Sequence, residues 1–73
     1  MNNPRYRVLE YGPMHMAHLC DRSDGQKVWV DLMVDGSFPY AEPEELVGKQ
    51  YDADYDYEHR NVHLAHNVRE VTP

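Results

Sequence analysis

The sequence predicts an all-β domain, and three observations carry that expectation. Residues 49–58, Lys-Gln-Tyr-Asp-Ala-Asp-Tyr-Asp-Tyr-Glu, alternate strictly, with Tyr51, Ala53, Tyr55 and Tyr57 on odd positions and Asp52, Asp54, Asp56 and Glu58 on even ones. This is the period of a strand with one face toward a core and the other toward water. Residues 26–34 place Val28, Val30, Leu32 and Val34 on one wholly apolar face, with Trp29, Asp31 and Met33 on the other. Turn-forming pairs, Gly12-Pro13, Asp24-Gly25 and Asp35-Gly36, punctuate the first half at strand-length intervals.

Taken in order, residues 1–4 read as a loose N-terminus of a single domain spanning residues 1–73. Arg5–Tyr11 is rich in β-formers and makes a first strand. Met14–Cys20 fits a strand because only seven residues lie between Pro13 and the next turn. Asp21–Gly25 is a hairpin loop in which Asp24-Gly25 supplies the positive-φ positions. The Gln26–Val34 strand follows, then a loop at Ser37–Ala41. Glu42–Gly48 reads as a very short helix, with Pro43 at its first position, acids at the positive end of its dipole and Gly48 just past its end. The Lys49–Glu58 strand turns at Glu58–Arg60 into a last strand at Asn61–His66, which continues past a bulge at Asn67 through Val68–Val71.

A chain of 73 residues buries only about 60% of the surface its unfolded form exposes. Its core is thin, which disfavours a deep active site or cofactor pocket. One cysteine, Cys20, excludes an internal disulfide. With no secretory pattern at the N-terminus, this points to a reducing, cytoplasmic setting. No apolar run approaches the roughly 20 residues that a membrane span requires.

Five strands with one short helix between the third and fourth is the element order of the OB-fold, a small Greek-key barrel. The chain resembles that fold over residues 5–71, carried by Val28-Trp29-Val30-Asp31-Leu32 and by Pro43-Glu44-Glu45-Leu46-Val47-Gly48-Lys49 running directly into a strand. An SH3-like barrel is the alternative, since it also combines five strands with a helical turn. In general character the chain resembles small phage or prophage proteins.

The net charge of −6 is localised: between Glu42 and Glu58 there are seven acids and one base, while the remaining acids and bases cancel. Such a segment repels phosphate and suits a basic protein surface. The candidate partner-binding residues are therefore Asp52, Asp54, Asp56 and Glu58, a regular line of charge, with Trp29 and Met33 as an apolar anchor on the outer face of their strand. Outward-facing Trp29 also suggests weak homodimerisation. Alternatively that face binds single-stranded nucleic acid, as OB-folds do, through Trp29, Tyr6 or Tyr11, Arg7, Lys27 and Arg60.

Enzymatic and metal chemistry find little support. Three Asp residues at alternate positions open like an EF-hand loop, but Tyr57 stands where that loop needs glycine and His63 where it needs glutamate. Alternate carboxylates on a strand also lie about 6.6 Å apart, too far to wrap one ion. The His15/His18 and His63/His66 pairs are each three apart and so diverge on strands; no metal or cofactor is expected. No activated serine or cysteine and no phosphate-binding glycine loop is present. The expectation is a small acidic, non-enzymatic protein-binding module, of the type of a phage inhibitor acting on a nucleic-acid-binding protein.

Overall fold

The computed structural model describes residues 3–36 and 42–71. Among the described residues the chain is all-β: seven strands form one mixed sheet, and the one helical element is a four-residue 3₁₀ helix. The strands are β1 (Arg5–Gly12), β2 (Ala17–Arg22), β3 (Lys27–Asp31), β4 (Gln50–Asp52), β5 (Tyr55–His59), β6 (Val62–His66) and β7 (Arg69–Val71), with the 3₁₀ helix at Pro43–Leu46 between β3 and β4. Their order across the sheet is β5-β6-β3-β2-β1-β4-β7. Every pairing is antiparallel except β3 with β6.

The expected closed five-stranded barrel is thus replaced by a seven-stranded open sheet, and the two extra strands come from two breaks. The Lys49–Glu58 segment divides at Ala53-Asp54 into β4 and β5. The last strand divides at Asn67, whose φ of 57° leaves the extended region, so β7 forms one edge of the sheet while β6 lies next to the other edge strand, β5. The sheet nevertheless curls. In a flat sheet β4 and β5 would be five strand spacings apart, about 24 Å. Only Ala53 and Asp54 connect them, and three residue steps reach about 11 Å at most. The covalent link therefore draws β5 back toward β4, and the concave face encloses the core.

Local chemistry accounts for the other boundaries. Residues 13–16 form a turn rather than the start of a strand, closed by His15 N–H to the Gly12 carbonyl at 3.0 Å; β2 begins only at Ala17. Strand β3 stops at Asp31 because the Asp31 carboxylate accepts the N–H of Met33 at 3.0 Å, a local bond that competes with the ladder. Alternation fails beyond it: Val34 is exposed and Met33 packs against the core. In the β2–β3 hairpin only Gly25 takes the expected positive φ, at 90°; Asp24 does not, and the turn is closed by Gly25 N–H to Arg22 O at 2.9 Å. The β5–β6 hairpin turns on Arg60 and Asn61, at φ 52° and 67°, the two positive-φ positions of a type I′ turn. The expected loop at Ser37–Ala41 lies outside the described residues.

The core comprises Tyr6, Val8, Cys20, Val30, Leu32, Leu46, Tyr51, Ala53, Ala65 and Val68. The 3₁₀ helix caps it with Leu46. Its entry is held by His18, a buried histidine whose Nε2 bonds the Pro43 carbonyl at 2.7 Å. Its exit is held by Gly48 N–H to Val8 O at 2.9 Å and Val8 N–H to Lys49 O at 3.0 Å.

Candidate functional site

The sheet has an inner face that holds the core and an outer face that carries most of its exposed rings. On β5, Tyr55 and Tyr57 point outward and are 54% and 48% exposed. This corrects the expectation that they join Tyr51 and Ala53 in the core. Asp54 and Tyr55 are exposed in succession, and a slip of one residue sends every later side chain to the opposite face. The register sets Tyr57 opposite Leu64 and Tyr55 opposite His66. The His66 ring stacks on both tyrosines, with centroids 4.8 Å from Tyr55 and 5.3 Å from Tyr57 and interplanar angles of 7° and 17°. Trp29 lies two strands away, beside Val62 and Leu19. Val62, Leu64 and Leu19 are half-buried and form the apolar floor between these rings.

Trp29 is positioned by a missing side chain. A Cβ on Gly12 would fall 2.4 Å from Cζ3 and 2.6 Å from Cη2 of the indole. The indole lies across that gap, with His15 stacked on it at 4.1 Å and 21°. Gly12→Ala is therefore expected to displace the ring. Overpacking costs about 1–3 kcal/mol, and the lower end applies because a half-buried ring can swing into water. The check is a red-shifted tryptophan emission with a small fall in melting temperature; an unchanged spectrum would contradict this placement.

The acidic residues do not form a free row. Asp56 turns inward, its side chain only 4% exposed. Its carboxylate accepts Arg22 Nε at 3.0 Å and Arg22 Nη2 at 2.9 Å, together with the Tyr6 hydroxyl. The His63 Nδ1 stands 3.7 Å away. Burial alone would push the Asp56 carboxyl up, but the Arg22 and Tyr6 hydrogen bonds outweigh it and hold the group below the ordinary carboxylate range. Burial and the Asp56 bond both push the Tyr6 phenol up. Arg22 also holds Asp24 at 2.5 Å.

Asp52 and Asp54 share Arg69, whose Nε is 3.0 Å from Asp52 Oδ1 and whose Nη1 is 3.0 Å from Asp54 Oδ1. Bonds from Asn67 and then Arg69 lower the Asp54 carboxyl. Glu58 is exposed at the far end of β5. The structure thus brings Asp52 and Asp54 together, sets Asp56 apart and inside, and places Met33 on the core side, away from Trp29. The bases that neutralise the row, Arg22 and Arg69, stand 34 residues before Asp56 and 15 after Asp54. No local pattern marks them; only the register does.

Of the residues considered for nucleic acid, Tyr6 is buried, Tyr11 is half-buried against His18, and Arg7, Lys27 and Arg60 are exposed. Cys20 is fully buried, and burial pushes its thiol up to about 12. Among the described residues no three His, Cys, Asp or Glu side chains are grouped to hold a metal ion, and no helix is long and apolar enough to cross a membrane. A wide polar cleft is lined by Arg5, Arg22, Ser23, Asp24 and Asp52; the Ser23 hydroxyl there accepts the Arg5 N–H at 3.1 Å.

In comparisons with known proteins, the chain matches no family model, no curated protein and no solved structure.

Proposed function

We propose that this is a non-catalytic protein-binding module whose docking surface is the outer face of β5, β6 and β3. The observation that carries the reading is the Tyr55–His66–Tyr57 stack: two half-exposed tyrosines held in fixed orientation by a ring between them. Tyrosine and tryptophan supply large contact area at small conformational cost and dominate binding hot spots. Pre-stacking removes part of the ordering entropy that association would otherwise require. The partner is expected to carry a basic rim, since the chain's net charge is −6.

The strand path supports an OB-like variant. The β1–β2–β3 meander, the parallel β3–β6 pair and the β1–β4 pair fit that path if β4 and β5 act as one bent strand. OB-folds use exposed aromatics for single-stranded nucleic acid, and Lys27 and Arg60 are exposed here, so that reading is tested alongside.

The test combines two titrations. Trp29 fluorescence should stay unchanged when oligo(dT) is added at 50 mM salt. A partner captured from the native host should bind the wild-type chain in a 1:1 complex. Tyr55→Ala/Tyr57→Ala should weaken that complex by at least about tenfold, the loss expected on removing hot-spot tyrosines, with an unchanged melting temperature. Saturable quenching by oligo(dT), or undiminished partner binding by the double variant, would overturn the proposal.

A further inference from the structure

The β1–β2 connection leaves two long apolar side chains in water. Met14 is 96% exposed and Met16 78%. They flank His15 in a turn closed by His15 N–H to Gly12 O at 3.0 Å and Met16 N–H to Pro13 O at 3.3 Å. Met16 sits at φ 51°, a left-handed conformation uncommon for a residue with a side chain. Methionine ordinarily fills gaps in cores, so neither side chain gains from packing here. The His15 ring lies against Trp29, and neither of its nitrogens has a hydrogen-bond partner among the described residues.

The donor set at this tip is two thioether sulfurs and one imidazole, with no carboxylate in residues 12–16. Soft thioethers select soft cations. Calcium and magnesium want oxygen, and zinc wants thiolate, imidazole or carboxylate. Three flexible bonds per methionine let both sulfurs turn toward an ion beside His15. We propose that Met14, His15 and Met16 form a binding site for a soft monovalent cation, Cu(I) or its stand-in Ag(I), with Trp29 packed against the imidazole ligand. This assignment is independent of the protein-docking reading of the sheet face. It involves coordination only and no change of oxidation state. The site lies on an exposed turn, so the fold does not depend on its occupancy.

The experiment is an Ag(I) titration of the full chain labelled with ¹³C at the methionine methyls, with tryptophan emission read in parallel. The Met14 and Met16 methyl signals should move together and saturate at one equivalent, Met33 should stay fixed, and Trp29 emission should be quenched. Met14→Leu/Met16→Leu keeps size and apolarity at exposed positions and should lower Ag(I) affinity at least roughly tenfold, because the thioether donors are gone. Its melting temperature should match that of the wild type. Anaerobic Cu(I) should reproduce the shifts and Zn(II) should not. Silver taken up by the Cys20 thiol would leave the Met14 and Met16 signals unmoved and overturn the assignment. So would undiminished affinity in the double variant, or equal shifts with Zn(II).

Discussion

Asp56→Asn should destabilise the protein by about 2–4 kcal/mol, although it removes a negative charge from a chain of net charge −6. Breaking one side of a buried ion pair typically costs about 3–5 kcal/mol because the other charge is left unpaired. The Arg22 side chain is 21% exposed and keeps its ion pair with Asp24, so part of that penalty is relieved and the lower range applies. The Tyr6 hydroxyl also loses its carboxylate acceptor, a charge-assisted bond of about 1.5–3 kcal/mol before compensation by the amide. A domain of this size has about 4–11 kcal/mol in total, so urea denaturation should show a large fall in midpoint. Asp54→Asn is the control: its partners Arg69 and Asn67 are exposed, and surface pairs contribute little to stability. Equal midpoints for the two variants would refute a structural role for Asp56.

The same group predicts a pH dependence. The Asp56 carboxyl is lowered in the folded state, so its contribution is complete above the unfolded value of about 3.9. It is lost as pH falls below 4 through the folded value, because the unfolded chain then binds the proton first. Asn at this position has no such limb. The stability gap between wild type and Asp56→Asn should therefore narrow as pH falls below 4. A gap that widens in acid would contradict the lowered value.

Leu46→Ala should cost about 2–5 kcal/mol, the range for a truncated buried leucine. Leu46 is the buried residue of the 3₁₀ helix, and it packs with Tyr6, Val8 and Tyr51 in the core. A four-residue 3₁₀ segment has little stability of its own; it is held by this side chain and by its bonds to Val8 and His18. The truncation therefore opens a cavity and loosens the segment between β3 and β4 together. Val47→Ala next to it, at an exposed position, should change stability by no more than about 0.5 kcal/mol. Thermal melts of the pair separate packing from helix propensity; similar losses would mean that Leu46 does not plug the core.

Much of the secondary structure was legible from local rules. Asp24-Gly25 marks a hairpin because only certain residues tolerate positive φ, and Pro43 to Gly48 brackets a short helical turn because proline starts and glycine ends such turns. Strict alternation identified 49–58 as extended chain, since no helix has period two. The same alternation misassigned its second half. A break at Ala53-Asp54 reverses the faces without changing the pattern, so Tyr55 and Tyr57 are exposed and Asp56 is buried. Nothing local signals that break. It is set by where the chain leaves β1 to pair with β6.

The candidate site divides in the same way. Trp29 is an outward residue by the period of its strand, and the sequence by itself determined that much, along with the all-β class and the acidic charge balance. Met33 follows the same period on paper but packs inward because Asp31 ends the strand. Only the tertiary structure decided that the acids have partners, since Arg22 and Arg69 reach them through strand register and not through sequence proximity. Only it decided that His66 stacks with Tyr55 and Tyr57. The physical reason is common to all three cases: periodicity and turn chemistry act within a few residues, whereas face, register and ion pairing depend on which distant strand lies alongside.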